Sequence, residues 1–532
     1  MADLHWTEVD QVTTVWTDTP GPLQAGLLFR TGRADETLAT SGITHLIEHL
    51  SLSPVNDQSQ LVAGFVDGVV TSFITRGQPE DVANVLANIC AALNSLPGDR
   101  LESEKQVLAA EHASRTYNLP SDLLFWRYGT VGYGLLGLPE FGLKKITLEQ
   151  LQNYSAERFT RENAFLWLSG PPPKDLRLIL PHGKKQPLPC LTPVKNPFPY
   201  WYLDNHCGGV AAGITVSRVY AAMIFCGIAS RRLHKHLRTD QALSYAPSVF
   251  YDPLNSDIAH LVLYADSDES HRADLAKAFA EVFEQLNVIE LAEIESVRNQ
   301  ILEHSIGPLA PPSADIKMME VQRVARDWVF GNEYESLETM ADHYNSVTEE
   351  DVSSFARDLQ ANAIFALPGG ASILPCFGKG AISSIEPVVD GQKAIKVDSP
   401  IQQEVLVYSP EGVSVLRPDG SHTTVRFSEL AAVLSYEDGC LLLIGSDRWQ
   451  ITIEPTLWRN GTAICSKILE QVPEQLLIDQ GPRPANAIPQ PTTTAWQRFR
   501  TRYITYILVV ILPIIFWIVR AILISLHLIP PG

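Results

Sequence analysis

The chain has 532 residues, 45% of them hydrophobic and 19% charged, which makes it too long for one ordinary core and too apolar for a largely disordered protein. Its 41 Lys and Arg residues against 60 Asp and Glu residues give a formal net charge of −19, so the chain lacks the general basic character of nucleic-acid-binding proteins. Its seven cysteines are scattered and form no CxxC pair, which argues against a disulfide framework or a cysteine zinc cage and favours a reducing compartment.

The first ten residues include three acids and no apolar run, so we expect no secretory signal peptide there. The segment that follows alternates short apolar strands with amphipathic helices. Strands are predicted at residues 24–31 and 69–76, and helices at residues 41–52, 79–96 and 101–117. This alternation predicts a unit of mixed α and β structure.

One of these helices contains the pentapeptide HLIEH at residues 45–49. Positions four apart place the imidazoles of His45 and His49 one turn apart on one face, with Glu48 beside them. Two neutral histidine nitrogens can bind Zn²⁺, and a neighbouring carboxylate can accept a proton from a metal-bound water. We therefore predict His45 and His49 as zinc ligands and Glu48 as a general base. The alternative is a surface helix that carries two histidines by chance.

A later helix places Leu101, Glu104, Leu108 and Glu111 on one face. Two acids beside two leucines are unusual on a solvated face and are expected where that face turns toward a cation. Because catalytic zinc needs a third protein ligand and an open fourth position, we predict Glu111 as the third ligand. Glu104 is predicted to orient a ligand or a water from outside the ligand set; the alternative is that it pairs with a nearby Lys or Arg.

A proline-rich break at residues 170–199 precedes a second unit of alternating strands and helices. A strand is predicted at residues 259–264, and helices at residues 221–237, 270–286, 290–304, 314–331 and 349–359. Two mixed units of similar length suggest an internal duplication. Another break, rich in Pro and Gly, follows at residues 369–391.

From residue 398 to residue 476 six short runs of alternating hydrophobicity are separated by Pro and Gly turns and followed by a helical stretch at 460–471. This pattern predicts a small β-barrel or sandwich with a closing helix. The pattern resembles a bacterial pleckstrin-homology-like fold. Such a module would contact a lipid or a protein.

The last part of the chain combines a tether with a strongly apolar block. Residues 480–494 are rich in Pro, Thr and Asn and are typical of a semi-extended linker. Residues 503–519 carry no charge, and an apolar run continues after Arg520, which predicts one transmembrane helix. The alternative is a buried helix of a soluble domain. Three arginines before the block, at positions 498, 500 and 502, predict that this side stays in the cytoplasm.

The motifs of the first two units resemble those of the insulinase-like, or pitrilysin-type (M16), zinc metallopeptidases over about residues 10–365. The similarity includes the lead-in FRTGRADE and SGIT before the pentapeptide, and the helix that ends VLAAE at Glu111. In the second unit, LHKHLR followed by LSY is similar to a family motif. The resemblance implies that Arg238 and Tyr245, seven positions apart, hold the substrate backbone and the tetrahedral intermediate. It also places Glu104 at the position of the family helix's other glutamate.

Two features depart from the family pattern. Sixty-one residues, 50–110, separate His49 from Glu111, fewer than is usual, and the shortfall falls at 51–66, where the family has another helix. The predicted strand at 69–76 lacks the Asn-Ala pair that the family often places there. The cleft wall and the docking of a substrate strand are therefore expected to differ, while the predicted metal ligands are all present.

We therefore predict an α+β protein in which two related metallopeptidase-type α/β domains surround a cleft. A small PH-like β-barrel domain and one C-terminal transmembrane helix follow them. The predicted domains are the N-terminal zinc-peptidase domain at 1–187, the C-terminal peptidase-like domain at 198–368, the β-rich domain at 396–476, the linker at 477–502 and the transmembrane helix at 503–529.

The expected function is that of a single-pass cell-membrane zinc endopeptidase whose N-terminal bulk faces the cytoplasm. Zn²⁺ is the expected cofactor, and the expected substrates are peptides or unfolded protein segments. No nucleic-acid partner is expected, and the resemblance is compatible with a homodimer that closes a chamber. The alternative is a non-catalytic scaffold of the same fold that binds a partner protein at the membrane.

Overall fold

The computed structural model describes residues 4–55, 61–114, 118–204, 206–303, 313–357, 359–397 and 404–491. The strands are β1 (His5–Val9), β2 (Val12–Trp16), β3 (Leu23–Phe29), β4 (Leu61–Val66), β5 (Thr71–Gly77), β6 (Ala164–Leu168), β7 (Tyr200–Leu203), β8 (Gly209–Ser217), β9 (Ser248–Pro253), β10 (Ile258–Asp266), β11 (Ala363–Leu367), β12 (Lys379–Gly380), β13 (Gln392–Ile395), β14 (Val405–Ser409), β15 (Gly412–Leu416), β16 (His422–Arg426), β17 (Leu430–Ser435), β18 (Leu441–Gly445), β19 (Gln450–Ile453) and β20 (Leu477–Asp479).

The helices alternate with these strands in the first two units and are rare in the β-rich unit. They are α1 (Ile43–Leu52), α2 (Pro79–Asn94), α3 (Leu101–Ser114), α4 (Leu119–Tyr128), α5 (Leu148–Arg158), α6 (Tyr220–Leu233), α7 (Arg272–Gln285), α8 (Leu291–Ile301), α9 (Ala314–Phe330), α10 (Leu337–Ser346), α11 (Glu349–Arg357) and α12 (Gly461–Leu469).

The first unit is built on a six-stranded sheet in the order β1-β2-β6-β3-β5-β4. Neighbouring strands are antiparallel except for the parallel pair of β2 and β6. Helices α1, α2 and α5 pack on one face of the sheet through a shared apolar core. All five residues of β6 are buried, as expected for a central strand covered on both faces.

The second unit repeats this arrangement with a six-stranded sheet in the order β12-β7-β11-β8-β10-β9. The parallel pair of β7 and β11 occupies the place that β2 and β6 occupy in the first unit. The edge strand differs, since β12 pairs parallel with β7 whereas β1 pairs antiparallel with β2. Helices α6, α7, α8 and α11 contribute to the core on one face. The prediction of two related α/β units is therefore confirmed.

The two units exchange one helix each. Helix α4 of the first unit packs Leu119 and Leu123 onto the second sheet, against residues such as Tyr202 and Val262. Helix α9 of the second unit packs onto the first sheet, against Val15, Phe165 and Trp167. Each sheet thus covers its second face with a helix of the other unit, so the two units share their cores.

The β-rich unit consists of two four-stranded sheets, β13-β14-β15-β16 and β19-β18-β17-β20, which share one apolar core with α12. Within the described residues the strands form these two separate sheets and do not close into a barrel, so the predicted barrel is wrong and the sandwich alternative fits. The predicted linker at 477–502 also begins too early. Strand β20 pairs with β17, and Arg483 forms ion pairs with Asp438 and Glu454.

The two strands that follow α1 differ from the sequence prediction. The strand predicted at 69–76 begins at Thr71, because residues 67–70 form the turn that joins it to β4. Strand β4 itself, at the edge of the first sheet, was not predicted. It occupies part of the 51–66 segment in which the family pattern would place a helix.

Along the part of the chain that the structure describes, no helix combines the length and the apolar character needed to span a membrane. The predicted transmembrane helix at 503–529 lies outside the described residues, as does the second half of the predicted linker, from residue 492 onward.

Candidate metal centre

Gly42 is the N-cap residue of helix α1, and its φ of 95° lies in the left-handed region that favours glycine. The buried carboxylate of Glu36 accepts hydrogen bonds from the backbone N–H groups of Gly42, at 2.8 Å, and Thr44, at 2.9 Å. These groups would otherwise have no partner at the helix N-terminus. Burial raises the pKa of Glu36 to about 7, although the two backbone donors oppose that shift.

The three predicted ligands lie together on α1 and α3. The Nε2 atoms of His45 and His49 lie 3.6 Å and 3.7 Å from Oε2 of Glu111. One nitrogen or oxygen of each residue lies within 4.8 Å of those of the other two. Ligands about 2.05 Å from a tetrahedral zinc ion are separated by about 3.3 Å, so the two distances to Glu111 are within a few tenths of an ångström of those in a zinc site.

The other nitrogen of each imidazole faces a carboxylate. Nδ1 of His49 lies 3.2 Å from Glu104, and Nδ1 of His45 lies 3.2 Å from Glu140. Because a carboxylate accepts hydrogen bonds, each one favours the tautomer that is protonated at Nδ1, which leaves Nε2, the nitrogen near Glu111, as the metal-binding atom. Glu104 also forms an ion pair with Arg100 at 2.9 Å, so its two predicted roles occur together.

Glu140 was not identified from the sequence. It follows a proline in an irregular segment, 95 residues after His45, and no periodicity marks it. Its side chain is almost fully buried and lies 3.4 Å from Arg33. Burial of an acid beside a histidine is a signal that only the folded chain provides.

Glu48 is buried between the imidazoles and strand β4. Its Oε2 lies 4.0 Å from Nε2 of His45 and 3.7 Å from Nε2 of His49, beside the space that the three ligands enclose. A Cβ at Gly64 of β4 would overlap the Glu48 carboxylate, so this glycine provides the space for the side chain. Burial raises the pKa of Glu48 above its ordinary value, while the two imidazoles oppose the shift.

Arg238 and Tyr245 lie in the second unit, in and after the π-helical turn His234–Asp240 that continues from α6. The Arg238 guanidinium lies 4.9 Å from the centre of the Tyr245 ring, which is 76% exposed. Asp266 fixes the intervening turn by accepting hydrogen bonds from Ser244 Oγ and Ala246 N. In the described ranges no hydrogen bond, ion pair or ring contact joins this pair to the histidine cluster.

The arrangement leaves one side of the cluster open. The Glu111 side chain is 42% exposed, whereas His45 and Glu48 are buried. A cation held by the three ligands would therefore face both solvent and the Glu48 carboxylate. Three protein ligands, an open position and a neighbouring carboxylate are the groups that a catalytic zinc site requires.

No family model matches the chain. It is 30% identical over 131 residues to the zinc protease PqqE of Helicobacter pylori, a match that covers 21% of this chain and 29% of that protein. The chain thus spans under a third of the length of this curated relative.

Solved structures resemble the chain over a larger part. A protease from Helicobacter pylori is matched with a TM-score of 0.56 and 14% identity, over 69% of this chain and 99% of that one. An M16 peptidase inactive domain from Pseudomonas fluorescens is matched with a TM-score of 0.56 and 14% identity, over 70% of this chain and 99% of that one. A chain of complex III2 from Candida albicans is matched with a TM-score of 0.55 and 14% identity, over 68% of this chain and 95% of that one. The two α/β units therefore have the M16 peptidase fold, which is found in proteases and in an inactive domain.

Proposed function

We propose that this chain uses its M16-type fold as a zinc-dependent endopeptidase that hydrolyses peptides or unfolded protein segments. The observation that carries the proposal is the convergence of His45, His49 and Glu111 on one point, with Glu48 beside it. Zinc, when bound there, would supply a Lewis acid and an acidified water. The relation to a zinc protease supports the choice of metal.

In this proposal Glu48 is the general base. Its carboxylate lies beside the ligand atoms without belonging to the predicted ligand set, and burial raises its pKa above the ordinary value, which makes it a stronger base. It would accept a proton from the water that attacks the peptide carbonyl and deliver this proton to the leaving amine. Glu104 and Glu140 would keep the two imidazoles in the metal-binding tautomer.

Strand β4 offers a place for an extended substrate. It is the edge strand of the first sheet, and its Gly64 lies against Glu48. Leu61 and Phe65 of this strand are exposed. A peptide that adds to this edge would make backbone hydrogen bonds and pass the metal centre, a mode that selects extended chains over folded proteins. We assign Arg238 and Tyr245 to the substrate carbonyl on the basis of the family resemblance alone.

The test is metal content and peptide hydrolysis measured on the same full-length preparation. We expect about one zinc per chain in protein prepared without chelators. A mixed library of unstructured peptides should be cleaved, cleavage should stop when a chelator removes the metal, and it should return when zinc is added. A chain that takes up no zinc would contradict the proposal.

A non-catalytic scaffold is the second candidate, because the solved M16 folds that resemble this chain include an inactive domain. The scaffold account predicts a chain that binds zinc or lacks it, and that cleaves no peptide of the library under either condition. Zinc-dependent cleavage would exclude it.

We also propose that the apolar block at 503–529 anchors the chain in the cell membrane, with the peptidase units in the cytoplasm. The uncharged run and the three arginines that precede it support this orientation. In membrane vesicles, protease added from the cytoplasmic side should digest the peptidase units. Digestion from the opposite side alone would contradict the topology.

A further inference from the structure

We propose that Glu140 is a positioning residue for the metal centre and that the β-rich unit holds it in place, so that docking of this unit determines how tightly the centre binds metal. This inference rests on the proposed zinc function and extends it to a part of the chain outside the peptidase units.

The first step is the contact between Glu140 and His45. Oε2 of Glu140 lies 3.2 Å from Nδ1 of His45, and its other oxygen lies 3.4 Å from Arg33. The side chains of Glu140 and His45 are 2% and 9% exposed, so water competes little for this hydrogen bond. A buried carboxylate in this position fixes both the tautomer and the rotation of the ring, and it strengthens Nε2 as a ligand.

The second step is how the backbone around Glu140 is held. Arg33 donates to the carbonyl of Leu138 at 3.0 Å, and Gly142 N donates to Ser41 Oγ at 3.1 Å. At Gly42 an added Cβ would lie 3.2 Å from Glu140 Cβ, so the segment at 138–142 packs tightly against the start of α1. Movement of one segment would displace the other, and His45 with it.

The β-rich unit packs over both of these segments of the first unit. Leu38 and Leu138 of the first unit are buried in an apolar cluster with Leu434, Ile444 and Ile478 of the β-rich unit. Phe141, directly after Glu140, packs against the same cluster. The second sheet of the β-rich unit thus lies on the two segments that position His45.

Polar contacts fix the same interface. Lys145 Nζ donates to the carbonyls of Glu474, at 2.6 Å, and Leu477, at 3.1 Å. Lys144 Nζ donates to the carbonyl of Gln480 at 2.9 Å. These lysines follow Glu140 by four and five residues, so the β-rich unit contacts the segment on both sides of the carboxylate.

The two histidines therefore depend on different parts of the chain. Glu104, which faces His49, is held by Arg100, the residue directly before α3. Glu140, which faces His45, belongs to a segment covered by another unit. Undocking of the β-rich unit is expected to loosen His45 and to leave His49 in place.

The experiment measures Zn²⁺ affinity of the full-length chain by competition with a chelator, together with the visible spectrum of bound Co²⁺. Glu140→Gln should weaken Zn²⁺ binding about 10- to 100-fold, the usual effect of losing a partner of a metal-bound histidine, and should alter the Co²⁺ bands. Leu442→Asp introduces a charge into the interface from the β-rich unit, where Leu442 packs against the shared cluster. It should weaken Zn²⁺ binding in the same direction.

The double variant decides whether the two changes act through one path. The chain that carries both substitutions should bind Zn²⁺ with about the same affinity as whichever single variant binds it less tightly. The two losses should not add, because the two residues act on the same contact with His45. Val397→Asp is the control, since Val397 is a partly exposed apolar residue of the same chain region outside the interface cluster. It should leave affinity and spectrum unchanged.

Each outcome has a separate meaning. If the wild type binds no Zn²⁺, the proposed function fails. If the wild type binds Zn²⁺ and Glu140→Gln binds it equally well, Glu140 is not a positioning residue and the proposed function stands. If Leu442→Asp unfolds the chain, Lys145→Met, which removes two surface hydrogen bonds, replaces it. Unchanged affinity in a folded interface variant would overturn the role of the β-rich unit.

Discussion

The two α/β units share the same order in five of their six strands and differ in what one helix presents. In the first unit α1 follows the central strand β3 and carries His45, Glu48 and His49. In the second unit α6 follows the equivalent strand β8, and its fourteen residues include no histidine and no acid. Its inward residues, such as Phe225, belong to the apolar core. The same arrangement thus carries a candidate ligand set in one unit and ordinary packing in the other.

The edge strands extend this comparison. Strand β4 of the first unit has Gly64 where Glu48 approaches, whereas the equivalent strand β9 contains no glycine and has the bulky Phe250 and Tyr251. A helix with a buried carboxylate needs a strand that leaves space for it. The difference between the units therefore involves matched changes on two elements, and a substitution on either should reveal it.

The largest effect is expected from removing a ligand. His49→Ala should lose most of the bound zinc, a larger loss than the roughly 10- to 100-fold that follows removal of an outer partner. The matched control is His236→Ala, because His236 lies after α6 in the second unit and outside the histidine cluster. Zinc content after purification without chelators measures both. Equal zinc loss in the two variants would contradict the assignment of the metal to the first unit.

A smaller effect is expected from closing the space beside Glu48. Gly64→Ala should displace the carboxylate and lower peptide hydrolysis about 10²- to 10³-fold, within the range for losing a general base. Zinc content should be unchanged because the atoms nearest to the added Cβ belong to Glu48, which is outside the predicted ligand set. Gly77→Ala in β5 is the control, since a Cβ there meets only ordinary contacts. Full activity of Gly64→Ala would show that Glu48 does not need its present position.

The second unit's contribution is expected to be smaller again. Tyr245→Phe should lower hydrolysis about 10- to 100-fold, less than the loss of a buried oxyanion donor, because the Tyr245 side chain is exposed. Zinc content should be unaffected. Tyr408→Phe in the β-rich unit removes a comparable exposed hydroxyl and serves as the control. If the two variants are equally active, the second unit supplies no substrate contact through Tyr245.

The smallest expected effect concerns stability and distinguishes the two helix starts. Burial raises the folded-state pKa of Glu36 from 4.5 to about 7, so the folded chain keeps a proton that the unfolded chain has released. Stability contributed by this proton is present at low pH and is lost as pH rises through about 7. The loss is at most about 3 kcal/mol, since each pKa unit corresponds to about 1.4 kcal/mol.

Denaturant unfolding of wild type and Glu36→Gln at pH 5 and pH 8 measures this loss. The wild type should lose more stability than the variant between the two pH values. Helix α6 has no side-chain hydrogen bond at its N-cap, and neither its first turn nor residues 209–219 before it contain an acid. The second unit therefore has no counterpart of Glu36 at this helix start. A steeper loss in the variant would contradict the shift at Glu36.

Local patterns in the sequence were sufficient to predict that His45, His49 and Glu111 form a cluster. His45, Glu48 and His49 are related by one helical turn, and Glu104 and Glu111 by two, so helical periodicity alone predicts which side chains share a face. The duplication of mixed units could also be predicted, because each unit repeats the alternation of strands and helices.

The remaining features depend on contacts between distant segments. Glu140 contacts His45 although 95 positions separate them. Gly64 leaves space for Glu48 because β4, which pairs with β5, lies next to α1 in the folded chain. The exchange of α4 and α9 between sheets leaves no periodic signal that differs from ordinary packing. In the β-rich unit the alternation predicted individual strands, but it did not determine whether their pairing would close a barrel or form two sheets.

The central claim is that the first unit holds a catalytic zinc with Glu48 as its base. The most direct measurement is peptide hydrolysis by Glu48→Gln, with zinc content determined on the same sample. Glutamine keeps the size and hydrogen-bonding capacity of the side chain but cannot accept the proton, so zinc should stay bound while turnover falls about 10²- to 10⁴-fold. A wild type that holds zinc and cleaves no better than Glu48→Gln would contradict the claim and favour the scaffold.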